Sequence, residues 1–253
     1  MKGYDSLSSD VPKVKIGCCG FPIGRRTYFR LLSCVEIQQT FYHPPDLKTI
    51  VRWCQEAPKG FEFIIKAWQL ITHTPQSPTY RRLKMDIPAN KMRCYGFFRP
   101  TEEVLMAWET IKNVAEALEC HIILFQSPSS FVSSAQNRAH MEEFFRSIER
   151  KKFIIAWEPR GWGEDEIFEV CKKLDLIHVV DPFKASSRWG NITYYRLHGK
   201  NGYHYRYSDA DLLYLKKLIH PIKATYVMFN NTSMLQDCLR FKEIEKREGY
   251  VGF

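Results

Sequence analysis

Short β-rich runs and stretches of helical spacing take turns along the chain. VKIGC at 14–18 reads as a first strand and VEIQQTF at 35–41 as a second, with a short helix between them. LKTIVRWCQEA at 47–57 has helical spacing, with Leu47, Ile50, Val51 and Cys54 on one face. Further strands are predicted at 61–67 (FEFIIKA), 121–126 (HIILFQ), 153–158 (FIIAWE), 177–180 (IHVV), 192–199 (ITYYRLHG) and 224–230 (ATYVMFN). Helices are expected between the later runs. The helix over 101–119 opens on Thr101 as a cap, with Glu102 and Glu103 in its first turn. Others fall near 136–149, 164–174 and 209–219, and a last one runs from Thr232 to about Lys246.

Strands that alternate with helices predict a parallel sheet with helical crossovers, and eight strands is the count at which such a sheet closes. The expected fold is therefore a TIM-like (β/α)8 barrel in a single domain. A doubly wound open sheet is the competitor, but no G-x-G-x-x-G follows any strand. Polar residues 1–13 read as a flexible N-terminal tail, and 14–253 as the barrel. The alternation is interrupted once. Pro75, Pro78, Pro88 and Pro100 break regular structure over a long basic insertion after strand 3, residues 73–100, read as a loop or lid.

Composition narrows the class. No apolar run approaches the roughly 20 residues that span a bilayer, and the polar start lacks an export signal. The expectation is a cytoplasmic protein with no membrane partner. Eight cysteines occur without a CxxC pair or a spaced histidine pair, which favours reduced thiols over a zinc site. The net charge of +9 is localised. Residues 73–100 carry Arg81, Arg82, Lys84, Lys91, Arg93 and Arg99 against Asp86, and residues 181–207 carry Lys184, Arg188, Arg196, Lys200 and Arg206 against Asp181. A localised surplus suggests an anionic partner, although a solvated loop has the same composition.

In a barrel of this kind the strand C-termini form the face that carries chemistry. Strand 2 offers Glu36, Gln38, Thr40 and Tyr42 on one side of its alternation, and strand 3 ends in Lys66, shortly before His73. Strand 4 ends in Gln126, strand 5 in Glu158 and then Arg160, and strand 6 at Asp181. Strand 7 presents Arg196 and His198 on one face, and strand 8 ends in Asn230 and Asn231. Each has a bland alternative. Glu36 could simply neutralise Lys66 or Arg196 inside the barrel, His198 could be a packed histidine, and the asparagines could be helix-entry residues. Packing accounts less well for the whole set at one end.

These blocks carry a resemblance. VEIQQTFY at 35–42, FEFIIKA at 61–67 with THT at 72–74, YYRLHG at 194–199 and YVMFNNT at 226–232 resemble, in order, the domain-of-unknown-function 72 family, the YecE-like proteins. GCCGF at 17–21 and AWEPRGW at 156–162 match more loosely. The resemblance implies a TIM-like barrel akin to nuclease-type and sugar-isomerase-type barrels. It implies no established activity. It carries polar family positions onto Glu36, Lys66, His73, Gln126, Glu158, Arg160, Arg196, His198, Asn230 and Asn231. The chain departs from the family pattern at Gln38, where Asn is expected, at Cys19, where Ser is usual, and at Gly161, where His often follows the Glu-x-Arg unit.

Three functions compete. In the first, an enzyme binds a small phosphate-bearing ligand such as a nucleotide, nucleic acid or sugar phosphate. Arg160 and Arg196 would hold anionic oxygens and Lys66 would add a point charge. Glu36 or Glu158 would act as base and His198 or His73 as acid, while Gln38, Tyr42, Gln126, Asn230 and Asn231 line the ligand. This reading needs no cofactor. In the second, a divalent metal held by Glu158, Asp181 and His198 serves a hydrolase or isomerase. In the third, a non-catalytic module stacks nucleic acid on Tyr80, Tyr95, Phe97, Phe98, Tyr203, Tyr205 and Tyr207 beside the basic loops. The oligomeric state is not legible.

Overall fold

The computed structural model describes residues 14–150 and 152–246; the expected tail over 1–13 lies outside them. Eight parallel strands close into a barrel in chain order: β1 Val14–Cys19, β2 Cys34–Ile37, β3 Glu62–Lys66, β4 Ile122–Gln126, β5 Ile154–Glu158, β6 Ile177–Val180, β7 Thr193–Leu197 and β8 Thr225–Phe229. Closure is made by β1 pairing with β8, where Val14 faces Thr225 and Cys18 faces Phe229. The helices between strands are α1 Arg25–Leu31, α2 Gln39–Tyr42, α3 Leu47–Glu56, α4 Gln69–Thr72, α5 Glu102–Ala117, α6 Ala135–Ser147, α7 Glu164–Leu174, α8 Asp209–Lys217 and α9 Met234–Lys246. The barrel and its longer helices lie where the apolar periodicity expects them. No helix among the described residues is long and apolar enough to cross a membrane.

Several elements are set by local chemistry. The Thr101 hydroxyl accepts from Val104 N at the start of α5, as its position predicts. Ser208 and Asp211 form a reciprocal capping box that starts α8. In α3 the buried face is Ile50 and Trp53, whereas Leu47 and Val51 are exposed, so the stripe expected there is rotated. Trp53 carries more apolar area than Leu47 or Val51 and takes the inward position, packing edge-on against Phe21.

Strand 2 differs from its expected length. It ends at Ile37, and the chain then winds into α2. The cause is Thr40, whose hydroxyl donates to the Ile37 carbonyl at 3.1 Å and to the Lys66 carbonyl at 2.7 Å. That side chain competes for strand carbonyls and turns the backbone. Thr40 and Tyr42 therefore leave the alternation that contains Glu36.

The 73–100 insertion is anchored at both ends. Gly96 N and Phe98 N donate to Leu70 O and Ile71 O, and the Tyr80 hydroxyl donates to His73 O. Gly96 has φ +79°, and a Cβ there would stand 2.4 Å from the His73 carbonyl, so glycine is required for this approach. Phe98 is fully buried against Phe125, Phe131, Phe144 and Phe145. Residues 81–93 remain largely exposed between these anchors.

The barrel interior is built in levels, because every second residue of each strand points inward. The middle levels are apolar: Cys34, Ile64, Ile122, Leu124, Ala156, Ile177, Val179, Tyr194 and Met228. Gly17 belongs to this interior, and a Cβ on it would collide with Cys34 and Met228. Below lies a small polar set at the strand N-termini: Lys15 Nζ reaches Glu62 at 2.9 Å, and the Tyr226 hydroxyl donates to Glu62 at 2.8 Å. Above, at the C-termini, lies the larger polar set.

Candidate active site

Following the inward alternation to the C-terminal mouth brings Cys19, Glu36, Lys66, Gln126, Glu158, Arg196 and His198 together in the upper part of the barrel. Arg196, wholly buried, is the hub. Its Nε and Nη2 donate to the two Glu36 oxygens at 3.0 and 2.8 Å, its Nη1 donates to Glu158 Oε2, and Nη2 also reaches Cys19 Sγ at 3.6 Å. Glu36 accepts further from the Tyr194 hydroxyl at 2.6 Å and from Gln38 Nε2. A guanidinium fork suits two carboxylates, since its donors are fixed in one plane. Burial disfavours the charged guanidinium, but Glu158 and Glu36 outweigh it and raise Arg196 above its ordinary value. Burial likewise raises the Glu158 carboxyl, yet Arg196 and the hydrogen bond from His198 hold it well below the usual range.

Glu158 and His198 form the outer edge of this network, Glu158 still buried and His198 partly so. His198 Nε2 stands 2.9 Å from Glu158 Oε1, and Asn230 Nδ2 stands 3.1 Å from His198 Nδ1. With Asn230 donating to Nδ1, the neutral ring carries its proton on Nε2 and donates it to the carboxylate. Asp181 Oδ2 accepts from the His198 amide and Oδ1 from the Phe183 amide, so Asp181 fixes the backbone that presents the imidazole. Its carboxyl is raised by burial. Arg160 Nη2 lies 3.6 Å from Glu158 Oε1, with its side chain 46% exposed.

Lys66 stands apart. It is 6% exposed, and among the described residues its amine has no hydrogen bond and no ion pair. It sits over the face of Phe41, with Nζ 3.8 Å from the ring centroid. Burial, reinforced by Arg196, pushes the amine down to about 7 against the opposing pull of Glu158 and Glu36.

The remaining expected residues separate. Gln126 pairs in register with Glu158 and lies at the mouth. Tyr42 is on the rim, its ring beneath the Arg82 guanidinium at 3.6 Å. With Gln38, Gln39, His43, Arg81, Leu83 and Lys84, these two line a cleft of about 590 Å³ whose wall Gln38 shares with the inner network. His73 is buried with Nδ1 2.8 Å from Thr72 Oγ1 and its ring edge-on to Phe41. Burial, Lys66 and Arg160 lower it to about 3, so it is neutral at ordinary pH and ill suited to donate a proton. Asn231 is not at the mouth; its amide donates to Tyr205 O and Asp237 Oδ2 beneath the 199–207 loop. Arg196 serves the carboxylates rather than an external anion, which differs from the anion-holding use expected of it. Tyr194 is not among the residues the sequence singles out, though it lies two residues before Arg196 on the same strand face.

The donor set is a poor match for a metal. Among the described residues no three His, Cys, Asp or Glu side chains gather as a cation site. Glu158 is engaged by Arg196 and His198, Asp181 by two amides, and three basic side chains stand nearby. The aromatic residues that would stack bases are largely used in packing: Tyr95, Phe98 and Tyr207 are buried, and Tyr203 alone of the seven is exposed. All eight cysteines are free thiols.

A closed parallel barrel with its polar interior gathered at the C-terminal mouth defines the class. The chain belongs to the family described as protein of unknown function DUF72, whose model matches residues 25–247. It is 23% identical over 243 residues to the UPF0759 protein YunF of Bacillus subtilis (strain 168), covering 82% of this chain and 80% of that protein. A crystal structure of a DUF72 family protein from Thermotoga maritima MSB8 superposes with TM-score 0.69 at 22% identity, covering 92% of this chain and 99% of that one. At the level of fold alone, the barrel is also similar to a xylose isomerase domain containing protein from Salmonella typhimurium LT2 (TM-score 0.58, 12% identity, 94% and 97% covered). Endonuclease IV from Thermus thermophilus shares it more distantly (TM-score 0.50, 8% identity, 92% and 100% covered).

Proposed function

We propose that this chain is an enzyme that binds a small phosphate-bearing ligand at the barrel mouth and performs proton transfer on it. The observation that carries the reading is the Glu158–His198 pair. It is held from behind by Arg196 and from the side by Asn230, and it opens toward Arg160. A carboxylate hydrogen-bonded to an imidazole is a pair that general acid–base catalysis uses, and here Asn230 would give up Nδ1 when that nitrogen takes a proton. Arg81, Arg82 and Lys84 on the rim cleft supply cations that internal carboxylates do not consume, and the half-exposed Arg160 adds a fourth, shared with Glu158 at 3.6 Å, whereas Arg196 is a positioning residue. Gln126 and Gln38 offer amides for orientation. The exposed stretch 81–93 would cover the bound ligand.

A divalent-metal reaction is less well supported, since the candidate ligands are already engaged. Nucleic-acid stacking is less well supported because most of the rings are packed. The test is a thermal-shift titration with inorganic phosphate, nucleotides, sugar phosphates and divalent cations. A phosphate-bearing ligand at 100 times its Kd adds about 2.7 kcal/mol to the native state, a rise of several degrees. That rise should shrink in Arg160→Ala. A full series of phosphate compounds without any shift sinks the reading.

A further inference from the structure

We propose that Lys66 is a nucleophilic amine that captures an aldehyde or ketone bearing an anionic group as a covalent imine. The inference deepens the reading above and rests on it for the anion. It starts from a mismatch in pairing. A lysine buried inside a barrel ordinarily needs a counter-ion, because an isolated buried charge is costly. The two carboxylates that act on it, Glu36 and Glu158, are instead both bonded to Arg196. Arg196 is 160 residues from Glu36 in the chain and 38 from Glu158, and barrel closure delivers it between them. Lys66 is left over.

The surroundings favour the free base. The ionisable groups facing Lys66 are Arg196, Arg160, Glu158, Glu36 and His73. Two of these are cations and two are carboxylates, and the carboxylates are committed elsewhere. Phe41 offers a ring face, which attracts a cation but accepts no conventional hydrogen bond. Next to Phe41 in the chain, the Thr40 hydroxyl donates to the Lys66 carbonyl and ties the two segments together. Desolvation beside another cationic group is a recognised way to activate a lysine toward carbonyls, and the low value at this amine agrees with it.

The step balances without an oxidant. The neutral Nζ lone pair bonds the carbonyl carbon and the C=O π pair moves to oxygen. Nitrogen loses a proton and oxygen gains one, giving a carbinolamine. The hydroxyl takes a second proton and leaves as water while nitrogen closes the C=N bond. The product is an iminium, one water is released and one proton is consumed. The iminium draws electrons from the adjacent carbon and acidifies its C–H, which gives the Glu158–His198 pair a proton to remove.

The test uses the full chain with pyridoxal 5′-phosphate, an aldehyde carrying a phosphate, followed by sodium borohydride and peptide mapping by mass spectrometry. Lys66 should be labelled ahead of surface lysines by on the order of tenfold at neutral pH, since an ordinary lysine of pKa about 10.4 is almost wholly protonated there. Lys66→Arg, checked for folding by its melting curve, should lose that label and keep the surface background. A parallel thermal shift with pyridoxine 5′-phosphate, an alcohol that cannot form an imine, reads the anion site alone. If that compound binds and Lys66 stays unlabelled, the imine is overturned and the anion reading survives. If Lys66 is labelled equally by pyridoxal without phosphate and pyridoxine 5′-phosphate does not bind, the imine stands and the anion reading falls. Label spread evenly over surface lysines, or none at all, overturns the inference.

Discussion

The two ends of the barrel interior are built from the same parts and put them to different use. At the N-terminal end Glu62 meets Lys15 and the Tyr226 hydroxyl. At the C-terminal end Glu36 meets Arg196 and the Tyr194 hydroxyl, and the two tyrosine rings stack on one another with centroids 5.9 Å apart. The lower set closes on itself: one carboxylate, one amine, one phenol. The upper set adds a second carboxylate and a second cation, and Arg196 takes both acids because one guanidinium can serve two carboxylates where one ammonium cannot hold the same geometry. The difference lies between Lys15, which is paired, and Lys66, which is not. An unpaired buried amine reduces stability, and residues of that kind collect where chemistry is done.

The strongest way to break the comparison is Arg196→Met. It strands Glu36 without a counter-ion and leaves Glu158 only Arg160 at 3.6 Å and His198, and the expected loss is about 3–5 kcal/mol, read as a lower urea midpoint. Lys66 would partly rescue the variant if it can swing to the freed carboxylates. Its amine would then titrate higher than in the parent, a shift visible by NMR of reductively methylated lysine.

Acid should act next. His73 is lowered to about 3 and His178 to about 4, in both cases chiefly by burial. Both are neutral when folded, while the unfolded chain protonates near 6.5. Their contribution is therefore complete above about pH 6.5 and is lost as pH falls from there toward 4 and 3. Stability at pH 4.5 should be lower than at pH 7.5 by roughly 5 kcal/mol, about half from each histidine, and His73→Gln should flatten part of that slope.

The two lysines give the sharpest contrast, because the signs differ. Lys66 is depressed, so between about 7 and 10.5 the unfolded chain binds a proton the folded chain does not, and stability from this group rises with pH across that window. Lys66→Met should thus stabilise the protein at pH 7 by on the order of 2 kcal/mol, an advantage that fades toward pH 10.5. Lys15→Met should destabilise by about 1 kcal/mol, since Glu62 keeps only the Tyr226 hydroxyl. Equal signs in paired denaturation curves would remove the distinction between the two ends. The smallest effect on stability belongs to Arg160→Ala, under about 0.5 kcal/mol for a long contact whose cation is half exposed.

Much of the scaffold was legible because its signals are local. Alternation of two and spacing near four depend on neighbours in the chain, and they located all eight strands and the inward position of Glu36, Lys66, Glu158, Arg196 and His198. Where a side chain interfered with the backbone the reading slipped: Thr40 ended strand 2 early and carried Tyr42 out to the rim. Asn231 went astray for a similar reason, since Asp237 draws its amide beneath a loop.

What the chain order determined by itself was the barrel and most, but not all, of the polar groups at its mouth. Which of those groups bond to which was decided only by closure. Pairing depends on the relative height of strands 38 and 160 residues apart in the chain, and a hydrogen bond is made or lost within about an ångström. That register let Arg196 reach both Glu36 and Glu158, and left Lys66 with neither.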